Sequence, residues 1–227
     1  MRKILVWILS IMTMFVFTAC GETSDNSKSD STATSKVEEQ PTTISKNSNS
    51  KILVAYFSRA GENYQVGVIE KGNTRIAAEM IAEATNADIF EIKTIKPYPE
   101  SYQECTEIAK KELEQDFRPE IAGKVNNMEK YDTIFLCYPI WWSDLPMAVD
   151  TFLESYDFNG KTIIPFCTSA SNYMTGKEVN IPKFAKGSTV REGLGLQGKR
   201  CQDDPESVRQ DINKWLTDLG FNEASNK

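Results

Sequence analysis

The stretch Lys51-Ile-Leu-Val-Ala-Tyr-Phe57 is a nearly continuous apolar run of strand length. A strand with one face in water would alternate apolar and polar residues, whereas a strand buried on both faces of a parallel sheet does not. We therefore predict that residues 51–57 form the first strand of a folded domain, covered by helices on both sides.

Outward from this strand, helical and extended patterns alternate along the chain. In residues 74–86, Ala77, Met80, Ile81 and Ala84 share one helical stripe. Further helices are predicted at 101–115, 148–156 and 205–219, and further strands at 87–92, 131–138, 162–167 and, more weakly, 188–194. This order predicts an α/β fold with five parallel strands, and ligands of such folds bind beyond the carboxyl ends of the strands.

Small and polar residues follow the first strand. Ser58-Arg59-Ala60-Gly61 comes first, and Gly72-Asn73-Thr74 opens the next helix after an insertion. Hydroxyls and free backbone N–H groups at a helix N-terminus suit a phosphate group, although Asn and Thr also cap helices that bind nothing. G-x-x-x-x-G-K-[ST] is absent and no G-x-G-x-x-G follows the first strand, so a single terminal phosphate fits better than a nucleoside triphosphate or a dinucleotide.

Two later strand ends carry aromatic and small polar residues. The third strand is followed by Pro139-Ile-Trp-Trp142, and the fourth by Thr168-Ser-Ala-Ser-Asn-Tyr173. The two tryptophans could stack on a flat ligand, but they could also plug the top of the domain or form a partner interface.

Composition excludes several classes of function. The 227 residues contain no histidine, which removes His-dependent nucleophile pairs and His-ligated metals. The net charge is −6 without a basic helix face, so we expect no nucleic-acid partner. The acidic residues around Glu112 and Glu120 are interspersed with Lys and Arg and are interpreted as a solvated helix face, so no metal site is predicted.

The N-terminus has the pattern of an export signal. Arg2 and Lys3 precede the apolar run 4–17, and Thr18-Ala19-Cys20-Gly21 follows. This segment resembles the lipobox of bacterial lipoproteins, which implies a signal peptide at 1–19, lipidation of Cys20 and attachment to the extracytoplasmic face of the cell membrane. An ordinary cleaved signal or an uncleaved membrane anchor are the alternatives. Residues 20–50 are rich in Ser, Thr and Asn and are predicted to be a disordered tether, with a tail at 222–227.

The strand and loop sequences of residues 51–221 resemble the flavodoxin-like family, most closely its small bacterial flavodoxin-type proteins. The resemblance rests on Ile52 to Ser58, Gly72-Asn73-Thr74, Tyr131 to Pro139 with Trp141-Trp142, and Phe166-Cys167-Thr168. It implies a three-layer sandwich with strand order 2-1-3-4-5 and FMN as a noncovalent cofactor. The implied contacts are Ser58, Arg59, Ala60, Gly72, Asn73 and Thr74 at the phosphate, Pro139, Ile140, Trp141 and Trp142 at the ring, and Thr168, Ser169, Ala170 and Tyr173 at its polar edge.

This resemblance implies electron transfer, or FMN-dependent reduction of quinones or similar acceptors, with an unidentified electron donor and acceptor. The alternative is a flavin-free surface protein that uses the Trp-lined cleft for another ligand or a protein partner. Two departures bear on the choice: residues 61–71 interrupt the phosphate loop and could fold over the site as a flap, and the loop at 168–176 has little glycine.

Overall fold

The computed structural model describes residues 51–221. The predicted signal peptide at 1–19, Cys20, the tether at 20–50 and the tail at 222–227 lie outside the described residues. In the part of the chain that is described, no helix combines the length and the apolar character needed to cross a bilayer.

The described chain alternates strands and helices. The strands are β1 (Ile52–Tyr56), β2 (Gly61–Asn63), β3 (Gly67–Ile69), β4 (Asp88–Glu91), β5 (Lys93–Thr94), β6 (Ile121–Ala122), β7 (Thr133–Pro139), β8 (Thr162–Ser169), β9 (Thr189–Val190) and β10 (Leu194–Gln197). The helices are α1 (Asn73–Ala84), α2 (Tyr102–Glu114), α3 (Met147–Glu154), α4 (Ile181–Phe184), α5 (Arg200–Asp203) and α6 (Pro205–Asp218), with short 3₁₀ turns at Met128–Lys130 and Lys177–Asn180.

The main sheet is parallel, with the order β4-β1-β7-β8-β10, and β9 pairs with the early part of β8. In chain order of the principal strands this is 2-1-3-4-5, so the predicted fold class is confirmed. The carboxyl ends of β1, β7, β8 and β10 therefore meet at one edge of the sheet.

Successive residues of β1 point to opposite faces, and both faces are buried. Leu53 and Ala55 belong to the core that α3 covers, whereas Val54 and Tyr56 belong to the core that α1 and α6 cover. Leu53, Val54 and Ala55 are fully buried. Burial on both sides explains why the sequence of this strand shows no alternation.

The fifth strand differs from the single strand predicted at 188–194. It is split into β9 and β10, which pair with β8 on either side of Pro165. Pro165 has no N–H with which to continue the ladder, so the pairing is interrupted opposite it. At Gly193 an added Cβ would lie 2.5 Å from the carbonyl oxygen of Pro165, so only glycine fits there. The strand resumes at Leu194 and extends to Gln197, beyond the predicted end.

Candidate functional site

A cleft of about 440 Å³ lies at the edge where the carboxyl ends of the central strands meet. Its volume is within the range of small-molecule sites, and its position at the strand ends is where α/β sheets bind ligands. The residues that line it come from the segments 58–66, 73–74, 102–109, 139–143, 168–175 and 197–199. None of these lining residues is an aspartate, a glutamate or a histidine.

Twelve of the fourteen residues predicted for the site line this cleft. They are Ser58, Arg59, Asn73, Thr74, Pro139, Ile140, Trp141, Trp142, Thr168, Ser169, Ala170 and Tyr173. Ala60 and Gly72 are not among the lining residues. The structure thus brings together residues that are up to 115 positions apart in the sequence, and their contribution to ligand binding remains a prediction.

The helix end of the cleft consists of Ser58, Asn73, Thr74 and Gly198. Gly72 occupies the N-cap position of α1 and has no side chain with which to cap the helix. Ser58 Oγ accepts a hydrogen bond from the backbone N of Arg75 at 3.1 Å. A Cβ on Gly72 would lie 2.2 Å from Ser58 Oγ and 2.6 Å from the carbonyl oxygen of Arg59. Gly72 therefore supports the site by allowing a close approach of the two segments.

Side-chain hydrogen bonds join this end to the later strands. Thr74 Oγ1 and Thr168 Oγ1 are 2.7 Å apart in a buried pair that links α1 to the end of β8. Asn73 Oδ1 accepts a hydrogen bond from Gln202 Nε2 at 2.8 Å, which orients the amide. A Cβ on Gly198 would lie 2.9 Å from Asn73 Nδ2. The amide nitrogen of Asn73 is therefore held beside the Gly198 backbone at the rim of the cleft.

The guanidinium of Arg59, which lines the cleft, is held by backbone carbonyl groups. Its guanidinium donates hydrogen bonds to the carbonyl oxygens of Pro99 at 2.9 Å and Glu100 at 3.0 Å, and also to the carbonyl oxygen of Glu62. These acceptors belong to the start of the insertion and to the segment before α2. The side chain of Arg59 therefore ties these two segments together.

The insertion at 61–71 contains an antiparallel hairpin, β2 and β3, whose tip lines the cleft. The backbone N of Glu62 donates to the carbonyl oxygen of Glu100 at 2.9 Å, and Glu62 Oε2 accepts from the backbone N of Tyr102 at 3.0 Å. At the tip, the ring of Tyr64 stacks on that of Tyr102 with centroids 5.8 Å apart. The hairpin is thus fastened to the N-terminus of α2 and forms one wall of the cleft.

The two tryptophans have separate environments. The ring of Trp141 packs edge-to-face on Phe57 and Tyr98, with centroids 5.1 Å and 4.9 Å apart, so its ring partners are core aromatics. Trp142 is half exposed, and its Nε1 donates to the carbonyl oxygen of Thr106 at 2.9 Å. The ammonium of Lys110 lies 5.5 Å from the Trp142 ring. Of the two, Trp142 is the one available to a flat ligand.

A tight turn presents Trp142. Trp141 and Asp144 exchange backbone hydrogen bonds of 3.0 Å and 2.9 Å, while Trp142 and Ser143 have φ values of 50° and 62°. Positive φ is unfavourable for residues with a Cβ. The bond from Trp142 Nε1 to α2 helps to hold this strained turn in one conformation.

The loop after β8 is held in place by the end of β10. Ser169 Oγ accepts from the backbone N of Ser171 at 3.1 Å, and the backbone N of Gln197 donates to Asn172 Oδ1 at 2.8 Å. Gln197 Nε2 also donates to the carbonyl oxygen of Ala170 at 3.2 Å. These bonds leave Tyr173 about two-thirds exposed at the mouth of the cleft.

Two groups of lining residues come from segments for which the sequence had predicted no site residue. Gln197 ends β10 and is followed by Gly198 and Lys199, whereas the strand was predicted to end at 194. The second group is Tyr102, Cys105, Thr106 and Ala109 on one side of α2. Their i, i+3, i+4, i+7 spacing was visible in the sequence, but it does not distinguish a stripe facing the core from one facing a cleft.

The ionisable side chains of α2 that line the cleft are neutral at ordinary pH. Burial raises the pKa of the Cys105 thiol, with only partial opposition from Arg59. Burial and the nearby Tyr64 raise the pKa of Tyr102. Neither side chain is therefore prepared to act as a nucleophile or a general base near neutral pH.

Comparisons with known proteins agree with this architecture. The model of the flavodoxin family matches residues 51–218. A candidate flavoprotein from Bacteroides eggerthii, of known structure, is 30% identical, with a TM-score of 0.60, and the match covers 76% of this chain and 99% of that one. A flavoprotein from Lactobacillus acidophilus solved in complex with FMN is 20% identical, with a TM-score of 0.51 and coverage of 69% and 99%, which shows a shared fold. An uncharacterized protein of Archaeoglobus fulgidus is 28% identical over 153 residues, 64% of this chain and 92% of its own length.

Proposed function

The chain belongs to the flavodoxin family, and from this membership we propose that it binds FMN and uses it in electron transfer, as a carrier or as an FMN-dependent reductase of quinones or similar acceptors. When bound, FMN would supply the redox chemistry. The protein would supply binding, orientation and the electrostatic environment.

The observation that carries this proposal is the N-terminus of α1, whose N-cap residue Gly72 has no side chain, opening into a cleft without carboxylates. Backbone N–H groups and the positive end of the helix dipole attract an anion such as the terminal phosphate of FMN. Gly72 and Gly198 fit this use, because a Cβ on either one would press on Ser58 or Asn73 and narrow the site. Ser58, Asn73 and Thr74 would hold the phosphate, and Lys199 lines the same cleft.

The rest of the cleft fits a flavin ring. Trp142 offers a half-exposed indole that α2 holds in place, and the 168–170 segment offers backbone and hydroxyl groups to a polar ring edge. Because the lining contains no carboxylate or imidazole, the residues on the cleft wall do not provide a general acid or base near neutral pH. This lining is better suited to positioning a redox cofactor than to hydrolytic or acid–base chemistry.

The test compares FMN with riboflavin, which has the same ring and no phosphate. We expect the purified protein to retain yellow flavin through gel filtration, and FMN to raise its melting temperature by linkage. Riboflavin should bind at least about a hundredfold more weakly, since charge-assisted bonds at the helix N-terminus would be absent. A colourless protein whose melting temperature FMN does not change would contradict the proposal and favour the flavin-free binding protein. Equal affinities for the two flavins would contradict the phosphate site.

The proposal includes a location, which the sequence of residues 1–50 supports. We propose that cleavage before Cys20 and lipidation of its thiol attach the protein to the extracytoplasmic face of the membrane. In cells supplied with labelled palmitate, the wild-type protein should be labelled and should sediment with membranes. The Cys20→Ser variant should remain unlabelled; a labelled variant would refute the assignment of Cys20.

A further inference from the structure

The cleft has a second part that FMN binding does not explain. This aromatic end consists of Tyr64 and Tyr102, which are 58% and 36% exposed, and it lies next to Trp142, which is 50% exposed and is assigned above to the flavin ring. Tyr64, Tyr102 and Trp142 all line one cleft, and clustered rather than scattered exposed aromatic side chains mark binding sites. The side chains between them on α2, Thr106 and Ala109, are short and leave the space above the helix open.

These aromatic groups are fixed by specific contacts rather than left loose. Tyr64 stacks on Tyr102 with an interplanar angle of 26°, and both belong to segments joined by Arg59 and Glu62. Trp142 is bonded to the carbonyl oxygen of Thr106, four residues along α2 from Tyr102, which is about one helical turn. The hairpin and the Trp142 turn therefore contact adjacent turns of α2, at Tyr102 and at Thr106.

The charges near the aromatic end are already partnered. The Glu62 carboxylate accepts from the backbone N of Tyr102, the Arg59 guanidinium is bonded to carbonyl oxygens, and Lys110 lies over the Trp142 ring. A charged ligand would have no unpaired counter-charge among these groups. A flat, uncharged ring would instead cover exposed aromatic surface and gain both stacking and apolar burial.

We propose that the aromatic end is a binding subsite for flat, uncharged aromatic molecules of the size of a naphthoquinone, beside the flavin ring. The inference rests on the proposed function, because it assigns the FMN ring to the neighbouring part of the cleft. Tyr64 and Tyr102 form the wall of this subsite and determine which acceptors reach the cofactor. The insertion at 61–71 contributes Tyr64 to this wall and positions it against Tyr102 of α2.

The test is a binding measurement on the oxidised, FMN-loaded full chain, with menadione as the probe and no reductant present. Calorimetry is performed at one fixed detergent concentration, so the same fraction of menadione enters the micelles in every titration. The ratio of the menadione dissociation constants of two variants is therefore unaffected by the detergent. We expect Tyr64→Ala and Tyr102→Ala each to weaken menadione binding at least about tenfold. Tyr64→Phe, which keeps the aromatic ring, should bind menadione as tightly as the wild type. Both alanine variants should retain FMN, measured by visible absorbance.

Val68→Ala is the matched control. Val68 lies on the same hairpin, is 82% exposed and does not line the cleft, so its removal should change neither ligand. Wild-type menadione affinity in both tyrosine variants would overturn the subsite, as would displacement of FMN by menadione, which would place both ligands in one position. A protein that binds no FMN but binds menadione through Tyr64 and Tyr102 would refute the proposed function and keep the subsite.

Discussion

Replacement of Asp150 by asparagine should stabilise the protein at neutral pH and reduce the dependence of its stability on pH. Asp150 lies on α3 with 7% of its surface exposed, and its Oδ1 has no hydrogen-bond partner. Burial, followed by repulsion from Asp144 and Glu154, raises its pKa to about 7, although Arg118 acts in the opposite direction. The carboxyl group is therefore more easily protonated in the folded protein than in the unfolded chain.

The sign and size of the effect follow from this difference. Below about pH 4 the Asp150 carboxyl group is protonated in both the folded and the unfolded protein, so its ionisation does not change the free energy of unfolding. As the pH rises toward about 7, the unfolded chain loses the proton while the folded protein keeps it, so stability decreases. The pKa of Asp150 rises from the ordinary value of 3.8 to about 7, a difference of roughly three units. At about 1.4 kcal/mol per unit, this difference lowers the free energy of unfolding by about 4 kcal/mol. Asparagine cannot ionise, so Asp150→Asn should recover about 2–4 kcal/mol above pH 7.

Urea unfolding at pH 5 and at pH 8 measures this effect. Asp218→Asn is the control, because Asp218 is exposed and joined to Lys214 only by a surface i,i+4 ion pair at 2.6 Å. Its loss should cost less than about 0.5 kcal/mol at either pH. The reasoning about Asp150 would be refuted if Asp150→Asn and the wild type had the same difference in unfolding free energy between the two pH values.

Three further predictions concern the cleft. Gly72→Ala should weaken FMN binding at least about tenfold in a fluorescence titration, because the new Cβ would push apart the segments that form the helix end. Thr74→Val should destabilise the fold by about 1–3 kcal/mol by leaving the Thr168 hydroxyl without its partner, and adding Thr168→Val should recover part of that loss in a double-mutant cycle. Trp141→Ala should cost about 3–5 kcal/mol of stability because its ring packs against the core. Trp142→Ala should cost little stability, because this side chain is half exposed, and should weaken FMN binding. The reverse pattern would contradict the assignments of the two tryptophans.

The fold could be predicted from the sequence because its strands are buried on both faces. Residues 51–57, 131–138 and 162–167 each form an apolar run of strand length, and amphipathic segments separate them. This pattern determines the class of fold before any tertiary contact is known. The fifth strand was less predictable, because it is interrupted opposite Pro165 of the neighbouring strand. The cause of the interruption therefore lies outside residues 188–197.

The sequence placed residues correctly at the cleft where they directly follow a buried strand or open a helix. Ser58, Asn73 and Thr74 follow a buried strand and open a helix, so their position at the cleft follows from the fold. The roles of Arg59 and Trp141 could not be derived in this way, because each depends on a segment distant in sequence: Pro99–Glu100 for Arg59, and Tyr98 with Phe57 for Trp141. Adjacent residues in one motif can thus face different surroundings.

The hairpin changes how charge is distributed around the cleft. Arg59 directly follows Ser58, and its hydrogen bonds to the carbonyl oxygens of Glu62, Pro99 and Glu100 hold it between the insertion and the segment before α2. The lysine that lines the cleft is Lys199, after the last strand of the sheet. In a chain of net charge −6 that cation matters, because the helix dipole contributes only partial charge toward a phosphate. Arg59 thus fixes the hairpin that carries Tyr64, while Lys199, whose ammonium lies 3.6 Å from Asp203 Oδ2, is the lysine on the cleft wall that a phosphate could attract.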